Sequence, residues 1–227
     1  MVLRTLRRMG EPFIGSEAIA SGALTAYALR SRFVAIYPDV YLSSDTKMTA
    51  SVRGKAAWLW SGRRGVVAGR SAAALHGSKW VEARKPAELL WPNRRPPNGI
   101  RTWSDTPADD EIELVDGMRV TTPARTAVDI ACRYPFVRGV AAIDALARAT
   151  HLKIADAELL VDRYRGRRGI RTARQILHLV DAGAESPQET WLRLLVIRTI
   201  SRGQKHRYPC TTSSVCSSPS SISAGRT

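Results

Sequence analysis

Arginine and glutamate carry most of the chemistry this chain can offer, and the two residue types meet near its C-terminal end. Arg165, Arg167, Arg168, Arg171 and Arg174 place five guanidiniums within ten residues, the densest positive run in the sequence. Cations at the start of a helix oppose its dipole, so Arg165, Arg167, Arg168 and Arg171 are candidate contacts for a phosphate or a partner. The plainer alternative is a solvated helix start. Glu189, in "ESPQETWLRLL", is the last carboxylate of the chain, with no Asp or Glu after it. Hydrolysing a phosphodiester takes several hard oxygen ligands around Mg²⁺ and a group that orients water, which one carboxylate cannot supply. The spacing also fits another role. Ser186 as N-cap, Pro187 at the first helical position and Glu189 at the third form a capping box, so Glu189 reads as a cap and only secondarily as a catalytic remnant.

A second basic group lies at the other end. Arg4, Arg7 and Arg8 precede a segment that contains Arg30 and Arg32, and the whole chain carries a formal charge of +15. Such an excess draws a protein towards polyanions, nucleic acid first among them. The elements that must position these residues can be read from local pattern. "GSEAIASG" predicts a short helix with Ser16 as N-cap, stopped at Gly22. "LTAYALRSR" predicts a second, capped by Thr25, with Ala28 and Leu29 inward and Tyr27, Arg30 and Ser31 sharing an outward side. "FVAIYPDVYLS" predicts two short strands broken at Pro38–Asp39. Helix, helix, β-ribbon is the order of a small winged helix-turn-helix. A second helix in a major groove then presents Tyr27, Arg30 and Ser31 to bases, with Thr25, Arg32, Arg4, Arg7 and Arg8 completing the candidate DNA-binding set. A helical hairpin that packs on its neighbour is the alternative for residues 1–45.

Residues 46–84 read as helical, with Val52, Ala56, Ala57 and Leu59 on one side of the first helix. The Ala-rich "GRSAAALHGS" comes next, capped by Ser71 and ended by Gly77, with His76 as a capping or packing residue. Residues 86–121 turn strand-like in "AELLWP", "IRTWSD", "EIELV" and "MRVT". Asp116–Gly117 signals a tight hairpin over 112–121 that sets Glu113 opposite Val120. From Thr122 the chain is helical. "TPARTAVDIAC" has Thr122 as N-cap and Pro123 at the first helical position, and Arg125 and Asp129, one turn apart, are expected to pair on its surface. "FVRGVAAIDALARAT" and "IADAELLVDRYRG" come after it as amphipathic helices.

The fold class expected is α+β. It divides into a winged helix-turn-helix head (1–45), a small α/β middle region (46–121), a helical region (122–183), a further helix (184–200) and a disordered Ser/Thr-rich tail (201–227). No stretch approaches the ~18 apolar residues of a membrane helix, and no apolar signal-peptide run comes after "MVLRTLRRMG". Of the three cysteines, Cys210 and Cys216 fall in the tail without metal-like spacing, so a reducing cytoplasm is expected. No small-molecule substrate or cofactor is indicated.

Taken in order, "SEAIASGALTAYALRSR", "GRSAAALHG", "DGMRVTTPARTAVDIA", "IDALARAT" and "RGRRGIRTARQILHLVDAGAESPQETWLRLL" resemble a large set of actinobacterial proteins. These carry an AbiEi-type (abortive-infection antitoxin) N-terminal region fused to a domain that looks like the very-short-patch-repair endonucleases of the PD-(D/E)xK class. The resemblance spans roughly residues 10 to 200. It implies a DNA-binding head that represses its own operon and a remainder that helps neutralise a cognate toxin. It also implies that Glu189–Ile200 is the first helix of a nuclease-like domain, truncated and inactive here for want of its later carboxylates. An active endonuclease with Mg²⁺ is the alternative.

Overall fold

The structure, a computed structural model, describes residues 10–205. Arg4, Arg7, Arg8 and the tail beyond Lys205 lie outside the described residues. Strand β1 (Phe13–Ile14) runs straight into helix α1 (Gly15–Ala20), and α2 (Ala26–Arg32) and the strands β2 (Phe33–Tyr37) and β3 (Val40–Ser43) come next. These strands form one sheet in the order β1-β3-β2, antiparallel throughout. Because β1 leaves no loop before α1, the N-cap falls on Ile14, which has no capping side chain. Ser16, expected to be that cap, lies inside the helix. Asp39 takes over the role from the β2–β3 turn: its Oδ1 accepts the Ser16 N–H at 2.9 Å and its Oδ2 the Ser16 hydroxyl, while its carbonyl accepts the Gly15 N–H.

Helix α3 (Ala50–Trp60) is capped by Thr49, whose Oγ1 accepts the Val52 N–H at 3.2 Å. The stretch read as wholly helical is then interrupted by strand β4 (Val66–Val67) before α4 (Gly69–Leu75). A strand of two valines is too short to show a period. It is found only through its partners. Strands β5 (Ala87–Leu90), β6 (Ile100–Trp103), β7 (Ile112–Val115) and β8 (Met118–Thr121) join it in the order β6-β5-β4-β8-β7. The pairs β5–β6 and β4–β8 are parallel, whereas β4–β5 and β7–β8 are antiparallel. The predicted hairpin is present with Glu113 opposite Val120. Asp116 and Gly117 both adopt positive φ, 50° and 77°, as a two-residue turn of matching twist requires.

Helix α4 is not capped by Ser71, which is buried within it and whose Oγ accepts the Glu88 N–H at 3.0 Å. The helix start is served instead by the Glu88 carboxylate of β5, which accepts the Arg70 N–H at 2.7 Å. Gly69 makes this approach feasible. It has φ +54°, and a Cβ there would stand 2.1 Å from Glu88 Oε2.

Helices α5 (Pro123–Arg133), α6 (Phe136–Thr150), α7 (Ile154–Arg163) and α8 (Ile170–Leu177) pack together beside the sheet, and α9 (Pro187–Lys205) comes last. Val128, Ile130, Ile143, Leu146 and Ile176 are fully buried where α5, α6 and α8 meet. A second core joins the three-stranded sheet to the five-stranded one, with Tyr37 and Val40 packed with Ala56, Leu89 and Val120. The α+β class therefore holds, with nine α-helices and two small sheets among the described residues. No helix is long and apolar enough to cross a membrane among the described residues.

Candidate nucleic-acid interface

The first three elements after β1 expose the residues singled out from the sequence. Thr25 caps α2 through its Oγ1, which accepts the Ala28 N–H at 3.1 Å. Leu29 points into the core, so the positions on the opposite side face solvent: Tyr27 is 78% exposed, and Arg30, Ser31 and Arg32 are exposed as well. Ser31 donates its hydroxyl to the Ala28 carbonyl at 3.3 Å, a local bond that is easily exchanged for an external acceptor. The helix passes directly into the β2–β3 ribbon, where Val34 is 57% exposed. Phe13 braces this ribbon from below, edge-on to Phe33 at 5.0 Å and stacked with Tyr41 at 6.3 Å. Thr25, Tyr27, Arg30, Ser31 and Arg32 thus occupy one short helix held on a packed aromatic base.

The head is also tied to the rest of the chain. Arg63 grips Glu17 with two bonds of 2.6 Å, which raise the guanidinium's pKa and lower the carboxylate's. Tyr37 donates its hydroxyl to the Gly99 carbonyl at 2.9 Å, and burial pushes its pKa up. Lys55 pairs with Glu11 at 2.8 Å.

The basic run near residue 170 divides. Arg165, Arg168 and Arg171 are exposed, whereas Arg167 turns inward, its Nη2 2.8 Å from both Asp105 and Asp129. That inward turn belongs to an ionic cluster whose central pair was expected on the surface. Arg125 and Asp129 do pair, Nε to Oδ1 at 3.1 Å, but their side chains are 1% and 0% exposed. Arg125 also bonds Glu111, itself fully buried, and the Tyr164 hydroxyl at 3.0 Å. Tyr164 in turn donates to Glu111 at 2.8 Å. Arg163 bonds Glu111 at 3.0 Å and Asp110 at 2.8 Å, and Arg133 pairs with Asp105. Four guanidiniums meet four carboxylates, so the cluster is neutral in sum. Burial alone lowers the pKa of Arg125, but the Asp129 and Glu111 carboxylates outweigh it and the net shift is upward. Burial lowers Arg133 and raises the neighbouring Cys132 thiol. The surface pairing failed as an expectation because α7 and the 164–169 turn, distant in sequence, cover this face of α5.

Glu189 sits in its capping box. Its N–H donates to Ser186 Oγ at 3.3 Å, and its carboxylate accepts the Ser186 hydroxyl at 3.0 Å and the Glu185 N–H at 2.8 Å. No group of three or more His, Cys, Asp or Glu side chains stands together as a metal ion requires, among the described residues. Both carboxylate oxygens of Glu189 are engaged in the cap.

The residues of α9 that dock it were not recognised in the sequence. Asp144 of α6, buried at 1%, accepts the Thr190 hydroxyl at 2.7 Å, Arg193 Nη2 at 2.8 Å and the Asp181 N–H at 2.8 Å. Burial raises its pKa, against these three bonds, which lower it. A lone aspartate in "AAIDALARA" is the only signal available, being a charge at a position the helical period turns inward.

Among known proteins, the family model for the AbiEi antitoxin C-terminal domain matches residues 65–182, slightly more than half of the 227 residues. The match covers the five-stranded sheet and helices α4–α8; the head lies outside it. Two Mycobacterium tuberculosis proteins, Uncharacterized protein MT2308 of strain CDC 1551 / Oshkosh and Uncharacterized protein Rv2248 of strain ATCC 25618 / H37Rv, are each 35% identical over 129 residues. That alignment covers 56% of this chain and 46% of each relative, so the match spans about half the length of these proteins.

Proposed function

Because this chain belongs to the AbiEi antitoxin C-terminal domain family, we propose that it is an antitoxin-like regulator that binds duplex DNA through its head and a toxin protein through its body. The observation that carries the DNA reading is the exposure of Tyr27, Arg30, Ser31 and Arg32 on α2, directly followed by an antiparallel ribbon. Helix, helix and ribbon with β1 as third strand is the order of a winged helix, in which α2 enters the major groove and the ribbon rides beside it. Arg30 and Arg32 then contact phosphates or base edges, and Thr25 holds the helix start. Arg4, Arg7 and Arg8 supply further phosphate contacts in this reading. The exposed Arg165, Arg168 and Arg171 offer a second basic surface for DNA or for the toxin.

On the same reading, α9 is the opening helix of a nuclease-like region. Within it Glu189 serves as a cap.

The test is a titration of the full chain with a duplex covering the region upstream of its own coding sequence, alongside a scrambled duplex, at several salt concentrations. Replacing Arg30 and Arg32 by Ala is expected to weaken binding at least tenfold and to reduce the log–log salt slope by about 1.8, at about 0.9 per lost phosphate contact. Unchanged affinity and slope refute the head as the DNA reader.

A further inference from the structure

Three of the six tryptophans, Trp60, Trp91 and Trp103, lie along one rim together with four exposed arginines. Two open grooves meet at the segment Trp91–Arg94, just beyond strand β5. One is lined by Trp60, Gly62, Arg64, Trp91, Arg94 and Arg95, the other by Trp91, Arg94, Arg101, Thr102, Trp103 and Asp105. Together they form one path around the C-terminal ends of the parallel strands β5 and β6. The Trp91 N–H donates to the Trp103 carbonyl at 2.8 Å, which places the two tryptophans on neighbouring strand ends. Trp91 packs towards the core shared with the head and Trp103 towards the smaller cluster of Val66 and Leu90, so the rings flank the sheet end from its two sides. All three indoles are half-buried, each anchored in a core while part of it reaches the groove.

Basic side chains outnumber acidic ones along this path. Arg64, Arg94, Arg95 and Arg101 are exposed and make no ion pair with a carboxylate among the described residues, whereas Arg63, Arg125, Arg148, Arg163 and Arg167 all do. Asp105 is the one acid on the rim, and Arg133 and Arg167 already hold it. The rings carry cations of their own: Arg64 lies 5.0 Å from the Trp91 ring centre and Arg133 3.9 Å from that of Trp103. The groove wall is stiff. Pro92, Pro96 and Pro97 restrict the loop, Asn93 Oδ1 accepts the Arg95 N–H at 2.8 Å, and the Thr102 hydroxyl ties the Asn93 carbonyl to β6. Ordering a ligand here therefore costs little protein entropy.

We propose that this path is a binding site for single-stranded nucleic acid, distinct from the duplex-reading head. Unpaired guanidiniums spaced along an open groove track a phosphate backbone, and indole faces between them stack bases of any sequence, which a duplex keeps hidden in its own stack. Arginines beside the rings add cation–π contact to the same bases.

The test uses the full chain with fluorescein-labelled dT20, rU20 and a 20-base-pair duplex, read by anisotropy and by quenching of tryptophan emission. Arg94 and Arg95 are exposed loop residues, so the R94E/R95E double variant is expected to melt like the parent. It is expected to bind dT20 or rU20 at least tenfold more weakly, with a salt slope reduced by about 1.4, at about 0.7 per contact on a single strand. Duplex affinity is expected to stay within twofold, and the Arg30→Ala, Arg32→Ala variant to show the reverse pattern. A preference for dT20 or for rU20 names the source of the strand, and either result supports the site. Single-strand affinity unchanged in R94E/R95E, no quenching at saturating strand, or equal loss of duplex and single-strand binding each overturns it.

Discussion

Glu88 shows how far a single residue can depart from what its neighbours in sequence suggest. In "AELLW" it sits mid-strand with 3% of its surface exposed, its carboxylate taking the Arg70 N–H and the Tyr134 hydroxyl. Burial pushes its pKa up to about 7, against the Arg70 N–H bond and the charges of Arg101, Arg70 and Arg133, which lower it. A carboxyl whose pKa rises on folding contributes stability that is fully present below the unfolded value near 4.5 and is lost as pH rises through about 7. Glu88→Gln removes that dependence. The stability of the variant relative to the parent is therefore expected to increase between pH 4.5 and pH 8 by on the order of 3 kcal/mol, measured by urea unfolding at both pH values. Parallel curves would show that Glu88 does not titrate in this range. Arg125 makes the opposite case, a charge that cannot be shed. Arg125→Met leaves Glu111 and Asp129 buried without their central partner and is expected to cost about 3–5 kcal/mol in the same measurement. Arg125→Lys keeps the charge without the planar fork and is expected to recover only part of the loss.

At the scale of elements, α9 joins a good local start to a weak tertiary hold. Its capping box is complete, and Ser186→Ala is expected to cost about 1 kcal/mol of helix stability, seen as roughly fivefold faster amide exchange in its first turns. Thr190, Arg193 and the half-buried Leu194 hold its first half on the body, but Trp191, Leu192, Val196 and Ile200 are 50–60% exposed. Asp144 is the anchor that Thr190 and Arg193 share. Asp144→Ala is expected to raise exchange along 187–200 while leaving α5 and α8 protected; uniform exchange across all of these helices would instead mean a global loss of structure. The cap of α9 was legible in "SPQE" because capping is a matter of four adjacent residues. The anchor was not, because it lies forty-six positions away from Thr190.

For the whole molecule, the question is whether the head moves as a separate body. Tyr37 and Val40 lie in one core with Ala56 and Leu89, and Glu17–Arg63, Glu11–Lys55 and Tyr37–Gly99 cross the same seam. Head and body are therefore expected to unfold in one transition, with circular dichroism and tryptophan emission curves coinciding. Two separated midpoints would refute this. Tyr37→Phe removes one buried hydrogen bond across the seam and is expected to lower stability by about 1 kcal/mol without splitting the transition.

What the sequence by itself determined were features built from adjacent residues: the Thr25, Thr122 and Ser186 caps, the Asp116–Gly117 hairpin and its register, the inward Leu29 with outward Tyr27 and Arg30, and the α+β class. Each rests on φ/ψ preference or on a period of two or 3.6, which the chain carries wherever it folds. Only the tertiary structure decided the features that join distant residues. It put β4 into a mixed sheet, gave the capping of α1 to Asp39 and of α4 to Glu88, and drew Arg125, Asp129 and Arg167 into the interior. It also brought Trp60, Trp91 and Trp103 to one rim. Solvent exposure and charge compensation depend on what covers a side chain, and that is set by elements tens of residues away.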